Sequence, residues 1–228
     1  MNRYLPFALI ALVAAVALGS GTAIYRSKDA RIEADAAAAA ELASQPTNGK
    51  PGAKSPHIRG AAKAAVTIEE FADFQCPPCG TLSGVLKNLE KAYEGKVRMV
   101  FRHYPLQNHV HVRQAALAAE AAGLQGKFWE MHDLLYQHRA AWAAAPSLRP
   151  FIDSYAQSLG LDLARFANDL EGEQTKARVA ADRERADSLG VDRTPSVFIN
   201  QRPIPFSSFD EAGLRKEIDA LLNVQTPQ

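Results

Sequence analysis

The 228-residue sequence predicts an α/β domain, and its hydrophobic periods indicate the order of the elements. Two β-rich segments, Ala65–Phe71 and Lys96–Tyr104, flank a helical pattern and so predict a βαβ unit. A long segment of helical periodicity follows, at about 107–190. Two short strand patterns and an amphipathic helix come last. We therefore expect one folded domain over about 57–228, with a helical insertion between its β-α-β and β-β-α parts.

The helix between the first two strands begins at a proline. Pro77 favours the first helical position, where its missing N–H costs nothing, and the pattern continues to about Tyr93 before Gly95 ends it. The helical patterns of the insertion are Val112–Ala122, Lys127–His138, Leu148–Leu159, Leu163–Leu170 and Glu173–Leu189. The closing segments are predicted as strands at Thr194–Asn200 and Arg202–Phe206 and as a helix at Phe209–Leu222.

Composition excludes several classes of protein. A formal net charge of +1 gives no reason to expect nucleic acid as a partner. Two cysteines in a chain of this length exclude a disulfide-rich scaffold, and they also exclude a zinc site built from two CxxC pairs.

Residues 1–28 predict an export segment. Leu5–Tyr25 carries no charge, follows Arg3, and as a helix would span about 30 Å, the thickness of a hydrocarbon core. We favour a retained signal anchor over a cleaved signal peptide, because the apolar character continues to Ile24. Arg26, just beyond, argues the other way, since positive charge prefers the cytoplasmic side. Both alternatives export the domain, either membrane-anchored or soluble in the periplasm.

Residues 29–56 predict a stalk and a flexible linker. Asp29–Ser44 is rich in alanine and can be helical, but it has few large apolar residues to bury. Gln45–Pro56 contains three prolines and two glycines. We expect this region to hold the domain away from the membrane.

The only two cysteines, Cys76 and Cys79, lie at the start of the first predicted helix of the domain. The helix dipole and the free N–H groups at a helix N-terminus stabilise a thiolate and lower the pKa of a cysteine there. Cys79 is within one turn, so its sulfur can reach that of Cys76 and resolve a mixed disulfide. A CxxC after a strand and at a helix start therefore predicts a redox-active dithiol.

Two other uses of the cysteines remain open. A purely structural disulfide would contribute little stability, because the loop it closes is so short. A metal site would need further ligands, for which the candidates are His103, His109 and His111.

Five segments of the chain, in matching order, resemble the DsbA-like branch of the thioredoxin superfamily, exported thiol–disulfide oxidoreductases of bacteria. These segments are EFADFQCPPC at Glu70–Cys79, VRMVFRHYPL at Val97–Leu106, AALAAEAA at Ala115–Ala122, KFWEMHDLLY at Lys127–Tyr136 and GVDRTPSVFIN at Gly190–Asn200. The resemblance implies a thioredoxin fold with an inserted helical domain. It implies that Cys76 is the nucleophile and Cys79 the resolving thiol. No cofactor is implied beyond the Cys76–Cys79 disulfide.

The resemblance also implies roles for three other residues. Thr194 and Pro195 would form a loop with a cis-proline that faces the dithiol and pairs with the substrate backbone. Glu70 would be a buried acid that exchanges a proton with Cys79. Strand alternation places Glu70 on the face of Ile68 and puts Glu69 on the opposite face, which is why we choose Glu70.

The dipeptide between the cysteines departs from the strongly oxidising DsbA proteins, which often carry His there. Pro78 removes an N–H that could donate to the thiolate at the helix N-terminus, and the dipeptide supplies no cation. Both losses raise the pKa of Cys76 relative to a Cys-Pro-His-Cys site. We therefore expect a disulfide less oxidising than that of the strongest oxidases.

Three functions compete. The first is an oxidase that gives its disulfide to exported proteins and is reoxidised by a DsbB-type, quinone-linked membrane partner. The second is a reductase or isomerase of the same fold. The third is a non-catalytic binding module or chaperone, against which the intact CxxC and Thr-Pro argue.

Overall fold

The computed structural model describes residues 49–224. The strands are β1 His57–Gly60, β2 Val66–Ala72, β3 Val97–His103, β4 Ser196–Ile199 and β5 Arg202–Ile204. The helices are α1 Pro77–Ala92, α2 Val112–Gly123, α3 Phe128–Gln137, α4 Arg139–Ala143, α5 Arg149–Ser158, α6 Leu163–Leu170, α7 Glu173–Ser188 and α8 Glu211–Val224. A short 3₁₀ turn at Phe206–Ser208 precedes α8.

The strands form one five-stranded sheet in the order β1-β3-β2-β4-β5. The pair β2 and β3 is parallel and is joined by α1, as the predicted βαβ unit requires. The other three pairs are antiparallel. Strand β2 lies at the centre, so the residues that follow it emerge from the middle of the sheet.

Helices cover both faces of the sheet. On one face, Leu86 and Leu89 of α1 and Leu214 and Ile218 of α8 pack on apolar strand residues such as Ile68. On the other face, Ala186 of α7 packs with aromatic strand residues. The helical insertion has its own core, in which the alanines of α2 allow close packing against larger side chains from α3 to α7. This core is continuous with both cysteines, so the insertion directly supports the dithiol.

The predicted order of elements is confirmed, and the α/β thioredoxin-like fold with a helical insertion is the fold observed. Helices α2 to α7 occupy 112–188, within the expected insertion. Two elements were not predicted. Strand β1 has four residues and ends at Gly60, and α4 has five residues, so neither is long enough to show a hydrophobic period.

The described part of the predicted linker is in contact with the folded domain. Residues 49–56 lie along the domain, where Ala53 is buried and its N–H donates to Asp182 Oδ1 at 2.9 Å. Arginines donate to the backbone carbonyls of this segment: Arg102 to Pro51 and Ala53, Arg178 to Lys54 and Ser55, and Arg185 to Lys50. The acceptors in these contacts are backbone carbonyls, which every residue has. The amino-acid composition of the segment therefore could not reveal this attachment.

The export segment at 1–28 and most of the predicted stalk lie outside the described residues. Over 49–224, no helix combines the length and the apolar character needed to span a membrane.

Candidate active site

The dithiol lies where the central strand passes into α1. Cys76 is the N-cap residue with extended backbone (φ −69°, ψ 121°), and the two prolines occupy the first helical positions. The Cys76 carbonyl accepts from the Gly80 N–H at 3.3 Å, which begins the helical hydrogen bonds. Both cysteines are free thiols in this structure.

The two sulfurs differ in access and acidity. Cys76 is 5% exposed and Cys79 is 0% exposed, so of the two only Cys76 retains any accessible surface. A hydrogen bond from the Cys79 thiol is the main cause that lowers the pKa of Cys76 to about 6, against the opposing effect of burial. Burial, together with the neighbouring Cys76 and Glu70, raises the pKa of Cys79 well above its ordinary value. At neutral pH Cys76 is therefore the thiolate and Cys79 stays protonated.

The Thr194–Pro195 peptide bond is cis, as the resemblance implies, and this loop faces Cys76. The Thr194 carbonyl oxygen is 3.5 Å from Cys76 Sγ, so it accepts from the thiol form. The Thr194 hydroxyl is buried without a hydrogen-bond partner among the described residues, yet it contributes to lowering the pKa of Cys76.

Glu70 is buried on the face of β2 that the alternation predicted, and Glu69 is on the other. Burial raises the pKa of Glu70 to about 8, the charge of Arg59 opposes that shift, and the Cys76 thiolate adds to it. Its Oε1 has no hydrogen-bond partner among the described residues. A cavity of about 10 Å³, enough for about one water, adjoins Glu70. Glu70 interacts electrostatically with both cysteines, because Cys76 helps to raise the pKa of Glu70 and Glu70 helps to raise the pKa of Cys79.

Glu69 lies on the opposite face of β2, and its pKa is lowered where that of Glu70 is raised. Burial disfavours its ionised form, but hydrogen bonds from Arg185 and Arg102 outweigh that cost and lower its pKa. The Glu69 carboxylate accepts from Arg102 Nε at 2.8 Å and from Arg185 Nη2 at 2.7 Å. It is a structural ion pair on the α7 side of the sheet.

The three histidines considered as metal ligands are held by three different groups. His103 Nε2 is 3.0 Å from Glu120 Oε1, His109 Nδ1 is 2.6 Å from Asp73 Oδ2, and His111 Nε2 donates to the Ala145 carbonyl at 2.8 Å.

One group of metal-ligating side chains does converge within 49–224, formed by His103, Glu120 and Asp182. Arg178 pairs with Glu120 and Arg102 pairs with Asp182, so guanidinium groups already balance both carboxylates. We therefore interpret this buried cluster as an ion-pair network that ties α2 and α7 to β3.

Sequence reasoning missed the residues that hold the turn before Cys76. The Asp73 carbonyl accepts from the Cys76 N–H at 3.1 Å and lies 3.5 Å from the Tyr136 hydroxyl. The Gln75 side chain accepts from the His111 N–H at 2.9 Å, and the Gln75 carbonyl accepts from Arg139 at 3.2 Å. Three residues of the helical insertion, His111, Tyr136 and Arg139, therefore contact this turn. The only sequence feature that pointed to this role was the position of Asp73 in FADFQCPPC, three residues before the nucleophile.

An apolar groove of about 600 Å³ opens beside the dithiol. It runs from Pro77 and Pro78 along α1 to Pro195 and the 3₁₀ turn, where Phe206 is 58% exposed.

The chain belongs to the thioredoxin family, whose pattern residues 53–220 match. Within that family it is DsbA-like, because its fold matches solved structures of DsbA-type thiol–disulfide oxidoreductases. DsbA2 of Pseudomonas aeruginosa is 28% identical, with a TM-score of 0.62 over 79% of this chain and 100% of that one. A thioredoxin-like oxidoreductase of Silicibacter pomeroyi is 26% identical, with a TM-score of 0.62 over 75% of this chain and 94% of that one. BdbD of Bacillus subtilis shares the fold, with a TM-score of 0.68 at 22% identity over 79% of this chain and 100% of that one.

Curated relatives include much longer proteins. The Na(+)/H(+) antiporter NhaA 3 of Salinispora tropica is 44% identical over 147 residues, which are 64% of this chain and 22% of that protein. NhaA 1 of Salinispora arenicola is 42% identical over the same coverage. The chain thus spans about a fifth of the length of these relatives.

Proposed function

We propose that this protein introduces disulfide bonds into exported proteins outside the cytoplasm, with Cys76 as the exchanging sulfur and Cys79 as the resolving thiol. The observation that carries the proposal is the asymmetry of the pair. The cysteine at the helix N-terminus has a lowered pKa and retains a small exposed surface, whereas the cysteine three residues on is fully buried and has a raised pKa. A structural disulfide does not require that difference.

The reaction is a double exchange in which atoms and electrons balance. A substrate thiolate attacks Cys76 of the oxidised pair, forming a substrate–Cys76 disulfide, and Cys79 leaves as a thiolate that takes up a proton. A second substrate thiolate attacks the substrate sulfur of that mixed disulfide, closing the substrate disulfide and releasing Cys76 as a thiolate. The substrate loses two electrons and two protons, and the dithiol gains the two electrons.

The surroundings of the pair support this sequence. The lowered pKa of Cys76 makes it a good leaving group in the last step. Glu70, with a pKa raised to about 8, can give a proton to Cys79 as it leaves and regain one through the adjoining cavity. Thr194 and Pro195 lie opposite Cys76, where the resemblance implies contact with the substrate backbone, and the apolar groove would take flanking side chains.

We propose that a DsbB-type membrane protein reoxidises the dithiol and that the N-terminal segment places the domain at the outer face of the cell membrane. The support is the sequence of that segment, with its uncharged run Leu5–Tyr25. A soluble periplasmic protein, released by cleavage, is the alternative. The redox chemistry of the domain is the same in both cases.

Equilibration of the full-length protein with glutathione tests both the activity and its direction. We expect the oxidised form to oxidise a reduced dithiol peptide, with a reduction potential between about −270 mV, typical of thioredoxin, and about −120 mV, typical of DsbA. The reason is that a pKa of about 6 for Cys76 falls between the values of about 7 and about 3.5 in those two proteins.

Each other outcome has a definite meaning. A potential at or above that of DsbA would contradict the argument from Pro77–Pro78. A potential as low as that of thioredoxin would favour the reductase alternative, and absence of any catalysed exchange would refute the proposed function. Cys76→Ser is the matched control, since it removes the exchanging sulfur and keeps the size of the side chain.

A further inference from the structure

The Asp73 carboxylate is fully buried and connects the active-site turn to the loop after β3. Its Oδ1 accepts from the Gln75 N–H at 2.7 Å. Its Oδ2 accepts from the Leu106 N–H at 3.0 Å and from His109 Nδ1 at 2.6 Å. The side chain of Asp73 is 0% exposed, so these protein groups, rather than bulk solvent, must satisfy its charge.

Asp73 controls Cys76 through two physical links. Its backbone carbonyl accepts from the Cys76 N–H at 3.1 Å, so the orientation of residue 73 sets that of residue 76. Its buried negative charge also opposes the Cys76 thiolate and raises the pKa of that thiol. A group that holds the Asp73 carboxylate in place, or that reduces the effect of its charge, therefore changes the position or the pKa of Cys76.

His109 is the side chain that does both. The other two donors to Asp73 are neutral backbone N–H groups, whereas His109 can carry a proton on each ring nitrogen. Its ring is 21% exposed and sits between the buried carboxylate and a surface groove. It is therefore the one side-chain donor to this carboxylate among the described residues.

The remaining charges that face His109 are cationic. Arg113, Lys176 and Arg183 line the same groove from α2 and α7, and the groove has no acidic side chain among its described lining residues. Lys176 pairs with Glu173, and Arg183 pairs with Asp187, each on α7 itself. Asp73 is thus the acid that meets the ring from the protein interior.

We propose that His109 is a positioning residue for Cys76 and acts through Asp73. It holds the turn before the nucleophile, and the hydrogen bond that it donates draws on the carboxylate that opposes the thiolate. In this protein it takes over part of the thiolate stabilisation that a histidine between the cysteines would provide. The inference deepens the proposed function, since it rests on Cys76 being the exchanging thiolate.

The test is the pKa of Cys76, read from the ultraviolet absorbance of its thiolate in the reduced full-length protein. His109→Ala should raise this pKa by about half a unit, less than the roughly 1 to 3 units of a direct charge contact, because His109 acts through Asp73. His109→Asn keeps an N–H donor near the Nδ1 position and should give a smaller rise. In an Asp73→Asn background, His109→Ala should add little or no shift.

The exposed His138, which stacks on Tyr155, provides the matched control, and His138→Asn should leave the pKa of Cys76 at its wild-type value. The inference is overturned if folded His109→Ala keeps the wild-type pKa, or if its shift is undiminished in the Asp73→Asn background. If His109→Ala does not fold, His109→Asn decides by the same comparisons. Because the readout is a titration and not turnover, an enzyme that exchanges disulfides normally can still refute the inference, and an inactive one can still support it.

Discussion

Cys79→Ser is expected to convert the protein into a trap that holds substrates as stable mixed disulfides on Cys76. Cys76 keeps its place at the helix N-terminus, and as a thiolate it can still attack a disulfide of another protein. The serine hydroxyl cannot attack Cys76 and release the bound protein, as the Cys79 thiolate does when the first exchange runs backwards, so the mixed disulfide persists. Mass spectrometry of the complexes, separated without reductant, should find disulfide-linked proteins on Cys79→Ser and none on Cys76→Ser.

Cys76→Ser should lower the rate of catalysed exchange to the uncatalysed background. The remaining Cys79 is fully buried and its pKa is raised by that burial, so it supplies neither access nor a thiolate. Adducts on Cys79, or full turnover by Cys79→Ser, would contradict the assigned roles. A non-catalytic binding module would instead keep its activity in both variants.

Glu70→Gln is expected to stabilise the reduced protein, and the gain should grow with pH. The folded-state pKa of about 8 is above the ordinary value of 4.5, so the folded protein keeps a proton that the unfolded chain releases. Wild-type stability therefore falls as pH rises from about 4.5 to about 8, by about 1.4 kcal/mol per pH unit from this group. Removing the ionisable group should recover on the order of 4 kcal/mol at about pH 8 and nothing at about pH 4.

Denaturant unfolding at several pH values measures this effect, and the adjacent Glu69 is the matched control. The pKa of Glu69 is lowered, so its stabilisation is present above its unfolded value and is lost as pH falls. Glu69→Gln leaves Arg102 and Arg185 without their shared carboxylate and should destabilise the protein at neutral pH by about 3 kcal/mol. Two neighbouring glutamates should thus give effects of opposite sign, and effects of the same sign would refute the assignment of their environments.

The sequence predicted the parts of the fold that have a strong period or a distinctive residue. The alternation in β2 correctly separated Glu70 from Glu69, and Pro77 correctly located the start of α1 beside Cys76. The two prolines at the first helical positions also agree with the expected helix N-terminus at the nucleophile. These features are local, so a single segment of sequence is enough to reveal them.

The features that the sequence did not reveal depend on contacts between distant segments. His109 is 36 residues from Asp73 along the chain, and nothing in its neighbourhood indicates that its ring meets that carboxylate. The attachment of residues 49–56 depends on arginines of β3 and α7 that donate to backbone carbonyls. Such contacts are set by tertiary packing and leave no period or motif in the sequence.

The pH dependence of alkylation in the reduced protein tests the central claim most directly, with the two cysteines followed separately by mass spectrometry. The account predicts that Cys76 reacts with a midpoint near pH 6 and that Cys79 stays unmodified throughout the range in which the protein is folded. A midpoint for Cys76 near 9, the ordinary value of a thiol, or faster modification of Cys79 than of Cys76, would contradict it.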